Sequence, residues 1–377
     1  MLVPLPTTTP TMPRIPAAAV LFLSTMTAHA QDTASVQFYG RLNVGLESVR
    51  RHGGDADRDG SDGARLTRAS NYRSVLGVRG AEDLGGGTRL VFQVEGTLSP
   101  DTGAGAVAAR DTRLGLAGNW GQLFAGNWTT PYTSATAGLD PFYPTTAGYM
   151  SIMGNGSAST SDNVIDKTSF DRRQQNSVHY WSPVWHGVSL RVAQGLNEER
   201  PANGARPALT SGAVVFEDGP WYATAAWERH RDYQGPGLED TGAKIGAAYQ
   251  FGQTRIGLAA EKLRYETARG RLERTSWYLS LSHQAGPHGF RVGVAHAGDG
   301  HGDAPDKLGY LRAGPGTGAL HATLGYDYAL SKRTALFAFY SRLHNDSRGA
   351  YDFAINGLGG TTGATLDAAV VGMRHAF

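Results

Sequence analysis

The feature that most constrains this chain is an alternation of apolar and polar residues, sustained over segments too long for an ordinary soluble sheet. Successive side chains leave a strand on opposite faces, so period two marks a strand with different media on its two sides. Residues 36–47 show it: Val36, Phe38, Leu42, Val44 and Leu46 share one face with Gly40, while Gln37, Tyr39, Arg41, Asn43 and Glu47 share the other with Gly45. It returns at 88–97, with Leu90, Phe92 and Val94 against Arg89, Gln93 and Glu95, and at 112–117, with Leu114 and Leu116 against Arg113. At 319–328, Leu320, Ala322, Leu324, Tyr326 and Tyr328 oppose His321, Thr323, Gly325 and Asp327. No long stretch carries helical periodicity.

The pattern predicts sixteen strands, near 35–48, 73–82, 88–98, 110–118, 121–127, 175–182, 187–196, 211–218, 220–230, 240–251, 253–265, 273–285, 288–298, 318–330, 332–345 and 364–377. Many exceed the ~5–6 residues of a typical soluble strand and match the ~9–11 of a tilted strand crossing a bilayer. Short connections such as 83–87, Asn119-Trp120, 183–186, Gly286-Pro287 and Ser331 alternate with long ones at 49–72, 99–109, 128–174, 197–210, 299–317 and 346–363. Hydrocarbon offers no partner to a backbone N–H or C=O, so a sheet that spans a membrane must close on itself. The expected fold is therefore all-β: a 16-stranded antiparallel transmembrane β-barrel with short periplasmic turns and long extracellular loops. Sixteen strands enclose more space than side chains fill, so the interior holds water.

Composition removes competing classes. The 377 residues include no Cys, which excludes a disulfide scaffold, a thiol nucleophile and a Cys-ligated metal site. No run of 18 apolar residues provides a helical span. A net charge of +2 gives no electrostatic case for nucleic acid. Neither a His-Glu-x-x-His pair nor a Gly-x-Ser-x-Gly elbow is present, and the Gly clusters at 85–87 and 359–360 lack the Lys-Ser/Thr of a phosphate loop. No catalytic residue, resident metal or cofactor is expected. Asp55, Asp57, Asp59 and Gly60 resemble half of a calcium loop, but Leu66 stands where the bidentate Glu belongs.

The first thirty residues read as a cleaved signal peptide. Arg14 precedes a short apolar core at 15–23, and Ala28-His29-Ala30 is a small-x-small cleavage site. The segment before Arg14 carries no positive charge, so Met12 is a candidate translation start. Removing thirty residues with one Arg and no acid leaves 347 residues, 31–377, with net charge +1. No composition break divides them, which predicts one barrel domain.

Five segments taken in order resemble the Gram-negative general porins of the β-proteobacterial type: 35–40 (Ser-Val-Gln-Phe-Tyr-Gly), 76–87, 91–95, 176–183 and 371–377. The resemblance covers nearly the whole mature chain. It implies an outer-membrane homotrimer that passes small hydrophilic solutes and ions by passive diffusion, seated among outer-membrane lipid and lipopolysaccharide. Val371, Met373 and the terminal Phe377 resemble the signal read by the outer-membrane insertion machinery. The third long loop, roughly 128–174, is implied to fold inward and narrow the pore. Its Asp140-Pro-Phe-Tyr-Pro144 resembles the family's Asp-Pro-Phe element, which makes Asp140 a candidate to face basic residues across the constriction, while Asp162, Asp166 and Asp171 are expected to be solvated loop acids.

Strand parity puts Arg41, Arg79, Arg89, Glu95, Arg113 and His179 on the channel-lining face. A charged side chain facing lipid costs about 2–4 kcal/mol at the bilayer midplane for Arg or Lys. The chain departs from the family at Val75 and at Gly126-Asn127-Trp128, where Arg is usual, and at His179, also an Arg position; Arg113 stands where an aromatic is usual. The expectation is weak anion preference, with His179 making selectivity vary between pH 5 and 8. Tyr180, Trp181, Trp185, Trp221, Tyr222, Tyr326 and Tyr328 are expected in the interfacial girdles. Two alternatives stay open: a solute-specific barrel channel, for a small organic anion or similar, and an outer-membrane barrel hydrolase.

Overall fold

The computed structural model describes residues 34–57 and 63–377. The proposed signal segment and part of the Asp-rich stretch at 55–60 lie outside the described residues. The chain runs up and down through β1 (Ser35–His52), β2 (Leu66–Asn71 continued by Ser74–Gly85), β3 (Thr88–Ser99), β4 (Thr112–Gly118), β5 (Gly121–Thr129), β6 (Arg173–Trp181), β7 (Val188–Gly195) and β8 (Ala208–Asp218). It continues through β9 (Trp221–Arg231), β10 (Glu239–Phe251), β11 (Thr254–Thr267), β12 (Gly270–Ala285), β13 (His288–Ala297), β14 (Ala319–Ala329), β15 (Thr334–Asn345) and β16 (Thr365–Ala376). Each strand pairs antiparallel with the next. β16 then pairs with β1, from Arg41 opposite Ala376 to His52 opposite Thr365, closing a sixteen-stranded barrel.

Two local devices matter for function. In β2 the ladder is interrupted at Tyr72-Arg73, where the register against β1 moves by one residue: Val44 lies opposite Asn71, but Arg41 lies opposite Val75. Such a bulge re-aims side chains, and here it releases Arg73, at φ 55°, toward the loop inside the barrel. A second register shift falls between Gly126, opposite Ser177, and Trp128, opposite Gln174, in the β5–β6 pair. At the β2–β3 turn, Gly85, Gly86 and Gly87 all have positive φ, a run that residues with a Cβ adopt only at a cost.

The outward face is greasy. Phe38, Leu46, Leu114, Ile245, Leu279, Leu324 and Val371 are exposed on it, an arrangement stable only in hydrocarbon. The terminal Phe377 seals the cylinder: its N–H donates to the Gly40 carbonyl (3.1 Å) and its own carbonyl accepts from the Gly40 N–H (3.0 Å). A Cβ at position 40 would meet the Phe377 ring at 2.3 Å, which accounts for a glycine on the apolar face. The aromatic girdle needs correcting at two positions. Trp221 and Trp185 are exposed as expected, but Trp181 and Tyr222 point into the barrel, where Trp181 joins a cluster of rings and Tyr222 donates to the Ala135 carbonyl. Both follow an outward residue by one, so parity already turned them inward.

Leu279→Arg is expected to destabilise the barrel by up to about 4 kcal/mol, because the new cation faces lipid. Urea titration of protein folded into vesicles measures this, and an unchanged transition would contradict the assignment of the outer face.

Candidate functional site: the channel constriction

The third loop, residues 130–172, lies inside the barrel and decides where a passage remains. It begins as α1 (Pro131–Ala137), capped by the Thr130 hydroxyl, which accepts from the Thr133 N–H, with Pro131 opening the first turn. Polar inner-face residues of the far wall then grip its backbone. Ser211 on β8 accepts from the Tyr132 N–H (3.0 Å). Ser280 on β12 donates to the Leu139 carbonyl (2.6 Å), Arg291 on β13 to the Pro141 carbonyl (2.7 Å) and Arg274 on β12 to the Ile152 carbonyl (2.7 Å). Glu261 on β11 is the hub. It accepts from the Tyr132 hydroxyl (2.8 Å) and the Gly154 N–H (2.8 Å), and Lys244 and Arg274 lie 3.8 Å away, all buried. Leu139, Phe142, Tyr149, Met150 and Ile152 pack with Tyr278, Phe337 and Phe339 to form an apolar core between loop and wall.

On the other side the loop makes fewer bonds, and near its end the Ser161 carbonyl accepts from the Gln175 N–H on β6 (3.0 Å). Arg73 donates to Ser157 (2.6 Å) and reaches the Tyr143 hydroxyl (3.4 Å), and Thr146 meets Glu47 on β1 (3.5 Å). Among the described residues, no hydrogen bond from 131–172 reaches β3, β4, β5 or β7. The passage therefore runs between the loop and the wall of β1–β7.

That wall is rich in guanidinium groups. Arg41 donates to the Arg73 carbonyl (3.1 Å), and Arg79 donates to Gln37 (3.0 Å) and lies over the Tyr39 ring. Arg113 donates to Gln122 (3.2 Å), and Arg89 stands opposite Ala117 in the ladder. Among the described residues, no carboxylate lies within 4.0 Å of Arg41, Arg73, Arg79, Arg89, Arg113 or Arg191, nor of Arg374 on the adjoining β16. The acids present are already paired: Glu95 accepts from Arg110 (2.7 Å) and the Tyr39 hydroxyl (3.0 Å), and Asp111 binds Arg173 (2.8 Å).

Asp140 does not face this cluster, which corrects the expectation for it, and Asp171 is buried rather than solvated. Asp140 is buried on the far side, accepting from the Tyr278 hydroxyl (2.7 Å) and from the Tyr149 and Phe142 N–H groups (2.8 and 2.9 Å). Burial pushes its carboxyl up to about 6, against those three hydrogen bonds. Asp162 and Asp166 accept from backbone N–H groups of the loop, and Asp171 is buried. His179 lies on the inner side but has no exposed surface: it stacks on Phe124 (4.9 Å) and bonds Ser177 (3.0 Å), so it presents no charge to channel water. Val371, Met373 and Phe377 are exposed on the outer face and at the closing seam. In the Asp-rich first loop, Asp57 accepts from the Gly53 N–H (2.7 Å), and no group of three metal-binding side chains occurs among the described residues.

Sequence reasoning missed Arg73, Arg110, Arg173, Arg191 and Arg374. Arg191 and Arg374 were within reach, since each directly follows or precedes outward apolar neighbours. Arg73 sits in a bulge and Arg110 and Arg173 at loop ends, where alternation carries no signal.

Comparison with known proteins adds three findings. A family model described as Gram-negative porin matches residues 17–348. The outer membrane porin protein 32 of Delftia acidovorans is 26% identical over 92% of this chain and 95% of its own length, and the major outer membrane protein P.IB of Neisseria lactamica is 24% identical over 91% and 95%. Among solved structures, an anion-selective porin from Comamonas acidovorans superposes with TM-score 0.76 at 23% identity, covering 91% of this chain and all of that one. The trimer form of OmpT from Vibrio cholerae gives 0.65 at 14% identity, over 92% of this chain and all of its own.

Glu261→Gln leaves Lys244 and Arg274 buried without their counter-charge, a loss of about 3–5 kcal/mol. Because the damage falls on the loop anchor, the expected result is greater open-channel current noise and proteolysis within 131–172, with the barrel still folded. A quiet, protease-resistant variant would show that the anchor lies elsewhere.

Proposed function

The chain belongs to the Gram-negative porin family and forms a channel in the outer membrane, and on that premise we propose that its passage favours small anions. The supporting observation is the row of arginines on the β1–β7 wall with no carboxylate within 4.0 Å, facing a loop whose Asp140 is turned to the far wall. A lumen lined by fixed cations lowers the energy of an anion at the narrowest point and raises that of a cation. The preference is stronger than the weak one expected from the sequence, because Asp140 does not offset the arginines. The name of the Comamonas porin agrees with this reading. The chain works as a homotrimer after export by a signal in residues 1–30, and a trimeric relative in fold is consistent with that.

Zero-current potentials in planar bilayers across a salt gradient test the reading. Arg41→Gln combined with Arg79→Gln is expected to move the potential toward zero, while an unchanged potential would remove these arginines from the selectivity region. His179→Gln is expected to leave selectivity unchanged from pH 5 to pH 8, since the ring is sealed beneath Phe124 and Ser177. A pH-dependent selectivity that this substitution abolishes would contradict the burial of His179.

A further inference from the structure

The inner wall of β4–β7 carries more than charge. Gly115, Ala117, Gly126 and Ala193 are small residues on this face, and they leave room for large rings beside them. A Cβ at position 115 would meet the Leu123 carbonyl oxygen at 2.3 Å and the Phe124 Cβ at 2.4 Å. Trp128 and Trp181 both pack edge-on against Phe124, at 5.3 and 5.2 Å. The Arg113 guanidinium sits over all three rings, 4.6 Å from Phe124, 4.4 Å from Trp128 and 5.3 Å from Trp181. Arg191 lies over Trp181 from the next strand, at 5.1 Å. Beside this cluster is a partly enclosed recess of about 270 Å³, small for a ligand pocket, whose mixed lining includes Arg89, Gln122, Trp181 and Arg191.

Attraction of inorganic anions requires the guanidinium groups alone. The indole of Trp181, over which Arg113 and Arg191 both lie, adds an apolar ring edge at the point where negative charge is held. We propose that this wall binds small planar aromatic carboxylates, the carboxylate pairing with Arg191 and the ring lying against the indole edge of Trp181. Guanidinium and carboxylate match in planar two-point geometry, and ring-on-indole contact favours aromatic over saturated solutes of the same charge. The site rests on the anion-passage reading and names a solute class for it.

The test uses the purified full-length porin in planar bilayers, with benzoate and cyclohexanecarboxylate as probes of equal charge and similar size. Benzoate is expected to reduce the chloride current at a concentration about fivefold lower than cyclohexanecarboxylate. Trp181→Leu is expected to abolish that difference while chloride conductance persists, and Trp181→Phe to retain part of it. Arg191→Gln is expected to weaken block by both acids to a similar extent, leaving their ratio. Equal potency of the two acids on the unsubstituted channel overturns the site, as does a difference that survives Trp181→Leu or a block that Arg191→Gln leaves unaltered; in those outcomes the rings only hold the arginines. A zero-current potential showing cation preference before any organic acid is added overturns the anion reading together with the site.

Discussion

A backbone amide in hydrocarbon has no water to bond, and the rest of this structure follows from that constraint. Sixteen strands satisfy one another in sequence, and the last returns to the first through the β1–β16 ladder and the Gly40–Phe377 pair. Once the sheet is closed, alternation along each strand has only two destinations, lipid and lumen. Charged residues on the strands are driven inward or to the rims, because solvation by lipid is costly at depth. The arginine-rich lumen is thus a product of the same constraint that closes the sheet.

A closed sixteen-stranded cylinder would be wide and undiscriminating. What shapes it is a loop held mainly on one side. Backbone carbonyls and N–H groups of residues 130–172 are tied to Ser211, Glu261, Arg274, Ser280 and Arg291, and aromatic and aliphatic side chains fill the gap between loop and wall. The anchoring uses buried charge, which is costly to isolate and therefore holds position strongly when paired. It also uses up the acid that would otherwise face the passage, since Asp140 is spent on Tyr278 and two N–H groups. One set of contacts thereby fixes the width of the passage and leaves its charge one-sided.

The alternation made the barrel legible: all sixteen strands and the inward direction of Arg41, Arg79, Arg89, Glu95 and Arg113 are readable from parity. The misreadings have a common source. Parity states which way a side chain leaves the strand but not what covers it afterwards. His179 leaves inward and is then sealed by Phe124 and Ser177. Trp181 and Tyr222 stand at strand ends, where aromatic residues suit an interface, but their own parity points inward. Asp140 lies in a loop, where no periodicity speaks, and its direction depends on Tyr278, which is 138 residues away. Arg73 became visible only with the bulge that breaks β2.

The central claim is that solutes pass between the loop and the β1–β7 wall, and the absence of any native cysteine makes it directly measurable. Single substitutions Arg89→Cys and Ser280→Cys, probed with a membrane-impermeant negatively charged thiol reagent during current recording, report the two walls separately. The account predicts rapid modification and a fall in conductance at position 89, with position 280 protected beneath Leu139. Rapid modification at 280 with protection at 89 would place the passage on the other side of the loop and contradict the account.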